Sequence, residues 1–146
     1  MHFGATAYDL AGVDLAYAPP FGAAKDPVHL AAFAASNWLE GWESFLPADA
    51  NLSDYQVIDV RSEEEVTSKP LPDAAHAKAI PLDDLRDRLD ELDRNQPTVT
   101  VCGSGARSHV AARLLAQSGF ATVFNLTGGQ TVRHRALKRR DQQPVS

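Results

Sequence analysis

Between Thr98 and Ser108 a β-branched apolar run stops at the chain's single cysteine, and after a loop holding two glycines the pattern turns helical. Val99 and Val101, preceded by Pro97, predict a short buried strand that carries Cys102 at its carboxyl end. Val110, Ala111, Leu114 and Leu115 then recur at helical spacing, with Ser108 a candidate N-cap and Gly119 a stop. Strand, tight loop and helix in that order predict one unit of an open α/β sheet. In such sheets ligands collect outside the carboxyl ends of the strands, where loops feed helix N-termini.

The loop composition suits a reactive thiol. Gly103 and Gly105 allow the positive-φ curl that turns several backbone N–H groups inward as an anion-binding nest. The following helix N-terminus adds partial positive charge and Arg107 a full one, and both favour thiolate, the nucleophilic form. The plain alternative for a lone thiol is a buried, inert cysteine. Glycines and an arginine within one loop argue for the reactive reading.

The rest of the second half alternates in the same way. Residues 55–60 predict a strand, Ser62 and Glu65 a capping box opening a short helix, and residues 122–125 another strand, followed by a final helix from about Gln130. Leu82, Leu85, Leu89 and Leu92 mark one face of a further helix whose other face is charged. Strands alternating with helices imply a parallel sheet covered by helices on both faces.

The first 46 residues differ. They are alanine-rich, with Pro19-Pro20, and Asp26-Pro27 reads as an N-cap and first helical residue. Leu30, Phe33, Ala34, Asn37 and Trp38 then share one helical face, with Gly41 a stop. A single helix with an extended leader cannot bury its own apolar face, so Phe33, Trp38 and Trp42 form a patch that seeks a partner.

Four of these motifs carry a resemblance. Cys102-Gly103-Ser104-Gly105-Ala106-Arg107-Ser108 resembles the active-site loop of rhodanese-type sulfurtransferases. Val57-Ile58-Asp59-Val60-Arg61, followed by Glu63-Glu64-Glu65, is similar to that family's first core strand. Ile80-Pro81-Leu82-Asp83-Asp84-Leu85 is similar to its next helix start, and Val123-Phe124-Asn125-Leu126 with Gly128-Gly129 to its last strand and double glycine. The resemblance implies a three-layer α/β fold with a central parallel sheet over residues 47–146, plus an N-terminal helical arm. It implies a catalytic Cys102 that carries sulfane sulfur as a persulfide, taken from a small donor and passed to a thiol or cyanide. Residues Gly103 to Ser108 then form the substrate-binding loop, with Asp59 and Arg61 in support.

Two departures qualify the expectation. Many thiosulfate-using members carry a basic residue where this chain has Gly103, which makes thiosulfate a poorer donor here. The stretch Pro72-Asp73-Ala74-Ala75-His76-Ala77 replaces the family's usual glycine-histidine loop, so His76 is not carried over as the family histidine.

Residues 15–28 are similar to the end of the dimerisation domain of pyridine nucleotide-disulfide oxidoreductases of the coenzyme A-disulfide reductase and NADH oxidase type. Tyr17 matches the first aromatic of that pattern and Phe21 replaces the second, losing a hydroxyl. Residues 1–46 therefore read as a remnant of such a domain or as a packing arm, within the chain or across a homodimer. A flavoprotein disulfide reductase becomes a candidate partner. With no Gly-x-Gly-x-x-Gly fingerprint, FAD and NAD(P)H belong only to an upstream reductase and this chain itself carries no cofactor.

Two other functions stand beside sulfur transfer. One is a non-catalytic interaction or regulatory module of the oxidoreductase. The other is phosphatase or arsenate reductase chemistry, which the four-residue spacing between Cys102 and Arg107 disfavours because related enzymes use five.

A net charge of −5 gives no reason to expect nucleic acid or membrane binding, and the apolar runs are too short for a signal peptide or a spanning helix. One cysteine excludes an internal disulfide and points to the cytoplasm. No metal site is expected. The basic cluster Arg133, Arg135, Lys138, Arg139 and Arg140 with His134 reads as a solvated helix end, and His109, early in its helix, as pointing outward.

Overall fold

The computed structural model describes residues 4–15 and 26–142, so the expectations about Tyr17 and Phe21 fall outside the described residues. The chain divides into two compact units, Met1–Trp42 and Glu43–Ser146.

In the first unit a Thr6–Asp9 capping box opens helix α1 (Ala7–Ala11), where an extended leader is expected from the sequence. Helix α2 (Pro27–Leu39) starts at the expected Asp26 cap, whose carboxylate accepts from the Val28 N–H, and Gly41 follows its end at φ +73°. Ala32 is the buried position of α2, whereas Leu30 and Trp38 of the apolar face are more than half exposed, as expected of a helix that cannot bury that face by itself.

The second unit is built on one sheet of five parallel strands in the order β1-β5-β4-β2-β3. The strands are β1 (Phe45–Leu46), β2 (Gln56–Asp59), β3 (Lys78–Ala79), β4 (Thr98–Val101) and β5 (Val123–Leu126). Helices α3 (Glu63–Ser68), α4 (Ala106–Gln117) and α5 (Gly129–Gln142) connect or follow them. Every residue of β2 and β4 is buried, as expected of parallel strands covered on both faces.

Alternation along the strands sorts the core into two layers. Ile58, Val60 and Cys102 pack with Ala111 and Leu115 of α4, while Val57, Val99, Val101 and Leu126 pack with Leu46, Leu52 and Leu71. On the α4 side β4 presents Thr98 and Thr100 rather than aliphatics. Thr98 Oγ1 takes a 2.9 Å hydrogen bond from Gln56 Nε2, and Thr100 Oγ1 donates to the Ser108 carbonyl at 2.9 Å.

Two expectations about helices need correction. The segment with Leu82, Leu85, Leu89 and Leu92 is a run of tight turns ending in a 3-10 turn at Leu89–Glu91, held by bonds such as Leu85 N to Leu82 O and Arg88 N to Leu85 O. Three-residue closure also puts these leucines on one side, so Leu85 and Leu92 reach the core without an α-helix. Arg133 is no part of a solvated end: it is 1% exposed, with its guanidinium donating to the carbonyls of Ala48, Ala50 and Pro72 at 2.9–3.1 Å.

Candidate active site

β4 delivers Cys102 to the carboxyl edge of the sheet, where the residue is 1% exposed. The next residues curl so that the Gly105 N–H points at Sγ, at 3.1 Å. Gly105 holds φ +111° and stands at the N-cap of α4, a backbone shape that favours glycine. Gly103 is not among the positive-φ glycines, so the curl depends on one glycine rather than the expected two.

Ser108 is likewise not the N-cap: α4 begins at Ala106, and Ser108 lies buried in the first turn. The physical reason is that the sulfur occupies the place of a capping oxygen. The Gly105 N–H, at the start of α4, is turned onto Sγ instead. Burial pushes the Cys102 thiol up, but the Ser108 hydroxyl and the N–H groups of Ser108, Ser104 and Gly105 outweigh it and bring the thiol below its ordinary value.

The outer side of the loop is held by α5. Gln130 N–H donates to the Cys102 carbonyl at 2.8 Å and Thr131 N–H to the Gly103 carbonyl at 3.1 Å. Both peptide oxygens are thereby turned away from the sulfur. Gly129, at φ +58°, lies so close that a Cβ there would collide with the Cys102 carbonyl oxygen.

Arg107 forms a two-pronged pair with Glu65, Nη1 to Oε2 and Nη2 to Oε1, each at 2.7 Å. The guanidinium holds the Glu65 carboxyl down at about 2, and the Ser62 N–H adds to this through the capping box of α3. Asp59 and Arg61 form a buried pair at 2.6 Å, and Arg61 Nη1 reaches the carbonyls of Lys69 and Glu65 at 2.9 and 3.4 Å. Together they fix α3, which in turn presents Glu65 to Arg107. A cleft of about 220 Å³ opens beside the loop, lined by Arg61, Glu65, Lys69, Gly103, Gln130 and Thr131.

The sequence reading missed a polar chain behind the thiol. Ser108 Oγ lies 3.4 Å from Cys102 Sγ and 2.7 Å from Asn125 Oδ1, and Asn125 Nδ2 donates to Glu43 Oε1 at 2.6 Å. Glu43 Oε2 lies 2.7 Å from His109 Nδ1, an ion-pair approach without aligned hydrogen-bond geometry. His109 is therefore turned toward a buried carboxylate, correcting the outward placement. A buried asparagine within an otherwise apolar strand was the available signal for Asn125. Nothing local marked Glu43, 82 residues away.

His76 instead contacts the Leu52 carbonyl, at 3.2 Å. Among the described residues no group of three histidines, cysteines or carboxylates could hold a metal, and no helix is long and apolar enough to cross a membrane.

A parallel α/β domain with a cysteine at a strand end, its sulfur held under a glycine loop that turns an amide onto it, is the class this geometry defines. The chain belongs to the rhodanese-like domain family, whose model matches residues 46–132. A sulfurtransferase of Allochromatium vinosum is 33% identical over 87 residues, 60% of this chain and 78% of that protein. Two solved structures align over nearly the whole chain. The reduced coenzyme A-disulfide reductase with rhodanese domain (CoADR-RHD) of Bacillus anthracis is 34% identical with TM-score 0.83, covering 95% of this chain and 25% of that one. The NAD-dependent persulfide reductase of A. fulgidus is 40% identical with TM-score 0.79, covering 89% and 23%. The chain thus spans about a quarter of each of these proteins, and 46% of the Bacillus subtilis relative YrkF.

Proposed function

We propose that the domain is a sulfurtransferase that carries sulfane sulfur as a persulfide on Cys102. The observation that carries this reading is the loop amide turned onto Sγ, the Gly105 N–H at 3.1 Å, with the Ser108 hydroxyl at 3.4 Å. The Cys102 thiolate attacks the outer sulfur of a donor. The donor's S–S bond breaks, the leaving group departs with the electron pair, and a new S–S bond forms on Cys102. The terminal sulfur carries the negative charge, which the loop amides stabilise. An acceptor thiolate or cyanide then attacks that sulfur and releases the Cys102 thiolate. Gly103, Ser104, Gly105, Ala106, Arg107 and Ser108 form the binding loop, with Asp59 and Arg61 in support through α3.

Arg107 pairs with Glu65 while its charge also bears on Cys102, and only four residues separate it from the cysteine, a tight spacing that supports sulfur transfer over phosphatase or arsenate reductase chemistry. With Gly103 adding no charge, a thiol persulfide or polysulfide suits the site better than thiosulfate. The names of the two long structural relatives support a partner role for a flavin-dependent disulfide reductase, which would supply FAD and NAD(P)H from outside this chain. In that arrangement residues 1–46 are the remnant of its dimerisation domain or a packing arm, and residues 47–146 are the sulfur-carrying domain.

Incubating the chain with polysulfide or thiosulfate should add one sulfur atom to the intact mass, and Cys102→Ala should abolish the gain. No gain, or an equal gain in the variant, rejects the reading.

A further inference from the structure

Ser108 has one hydroxyl hydrogen and three acceptors within reach: Asn125 Oδ1 at 2.7 Å, the Gly105 carbonyl at 3.1 Å and Cys102 Sγ at 3.4 Å. Which of them takes it depends on which end of the Asn125 amide faces Ser108. A carboxylate accepts only, so Glu43 Oε1 at 2.6 Å requires the NH2 end of Asn125 on its side. The Gly105 carbonyl, 3.3 Å from Nδ2, requires the same. Oδ1 is left facing Ser108.

We propose that Glu43, acting through Asn125, is a positioning residue that holds the Ser108 hydrogen away from the resting Cys102 thiol. While the sulfur is a thiol, Ser108 then offers it a lone pair and accepts its S–H; only a thiolate can receive the Ser108 hydroxyl hydrogen across the 3.4 Å to Sγ. When the sulfur ionises, the hydroxyl must give up its shortest bond and turn. Glu43 thereby keeps the unloaded thiol closer to neutral than the loop amides alone would leave it.

The other charged groups around this chain are His109, against Glu43, and the Glu65–Arg107 pair at the loop. The Glu65–Arg107 pair remains in both variants below, whereas Glu43→Gln takes away the carboxylate that faces His109, and Asn125→Ala, which keeps Glu43 and His109, is the arm without a change of charge. The inference rests on Cys102 being the sulfur-carrying nucleophile, but its test reads the thiol directly and does not require sulfur transfer.

The midpoint of Cys102 alkylation by iodoacetamide should be measured against pH in Glu43→Gln and Asn125→Ala. The first change puts in a side chain that can donate as well as accept and so releases the Asn125 amide from its fixed orientation, while the second removes the competing acceptor. Both should lower the midpoint, raising the thiolate fraction about three- to tenfold at pH values below it. In a Ser108→Ala background neither change should move it. A midpoint unmoved or raised in both variants overturns the proposal, as does a shift undiminished without the Ser108 hydroxyl, which would mark a through-space charge effect. The infrared S–H stretch of the unsubstituted chain gives a second readout that needs no variant at Glu43. It should sit at the lowered frequency of a donating thiol and rise in Ser108→Ala, and a band already at the free position overturns the proposal. If these shifts occur while polysulfide adds no sulfur, the positioning role stands and the sulfurtransferase reading fails.

Discussion

Glu65 grips Arg107 with both carboxylate oxygens, each at 2.7 Å, and is also the closing residue of the capping box that starts α3. One side chain therefore joins the start of a helix to the rim of the cysteine loop, 42 residues further along the chain.

This pair makes stability depend on acidity in a defined direction. The Glu65 carboxyl is held at about 2 in the fold, below its usual 4.5, so its contribution is complete above about pH 4.5 and fades as the pH falls toward 2. Both partners are more than 40% exposed, so solvent screening limits the effect to under about 1 kcal/mol. Glu65→Gln should lower Tm slightly at pH 6 and converge on the unsubstituted protein near pH 2, as followed by circular dichroism.

Two loop glycines should respond unequally to alanine. Gly105→Ala meets nothing closer than 3.8 Å and costs mainly its positive-φ strain, about 1–2 kcal/mol. Gly129→Ala adds a collision with the Cys102 carbonyl to its own strain and should cost about 2–5 kcal/mol. Urea midpoints of the two variants test the order, and equal losses would show that the contact under Cys102 yields freely.

Arg133→Met removes a buried guanidinium that satisfies three carbonyls. Methionine fills much of the volume but donates nothing. A loss of about 2–4 kcal/mol in urea unfolding is expected, with sulfur loading per folded molecule unchanged.

Gly103→Lys should improve thiosulfate use. The position has no positive-φ requirement, and a Cβ there would meet only Arg107 Nη2, at 3.8 Å. A cation at the loop should raise kcat/KM for thiosulfate about five- to tenfold at low salt, fading as ionic strength rises. A salt-independent gain, or none, argues that charge at this position does not choose the donor.

The central strands and the cysteine loop were legible because β-branched residues, glycines and capping residues report local geometry directly. Val99, Val101, Ser62 and Glu65 needed only their neighbours. Leu82 to Leu92 misled because repeats of three and four residues suit consecutive tight turns as well as an α-helix. Ser108 misled because a sulfur, not a hydroxyl, faces the start of α4, where it takes the Gly105 N–H. Arg133 was hidden in a basic run, since its partners are backbone carbonyls with no signature of their own. Glu43 and Asn125 meet only because β1 and β5 are neighbours in the sheet.

The bonds from Gln130 and Thr131 to the Cys102 and Gly103 carbonyls act as a gauge for the length of the cysteine loop. A residue inserted between Cys102 and Arg107 would throw one of these carbonyls out of register with α5. Widening the ring to admit a larger substrate therefore demands a compensating change around Gly128 and Gly129. Loop grafts between related enzymes should carry the double-glycine turn along with the cysteine segment, as one transplantable unit.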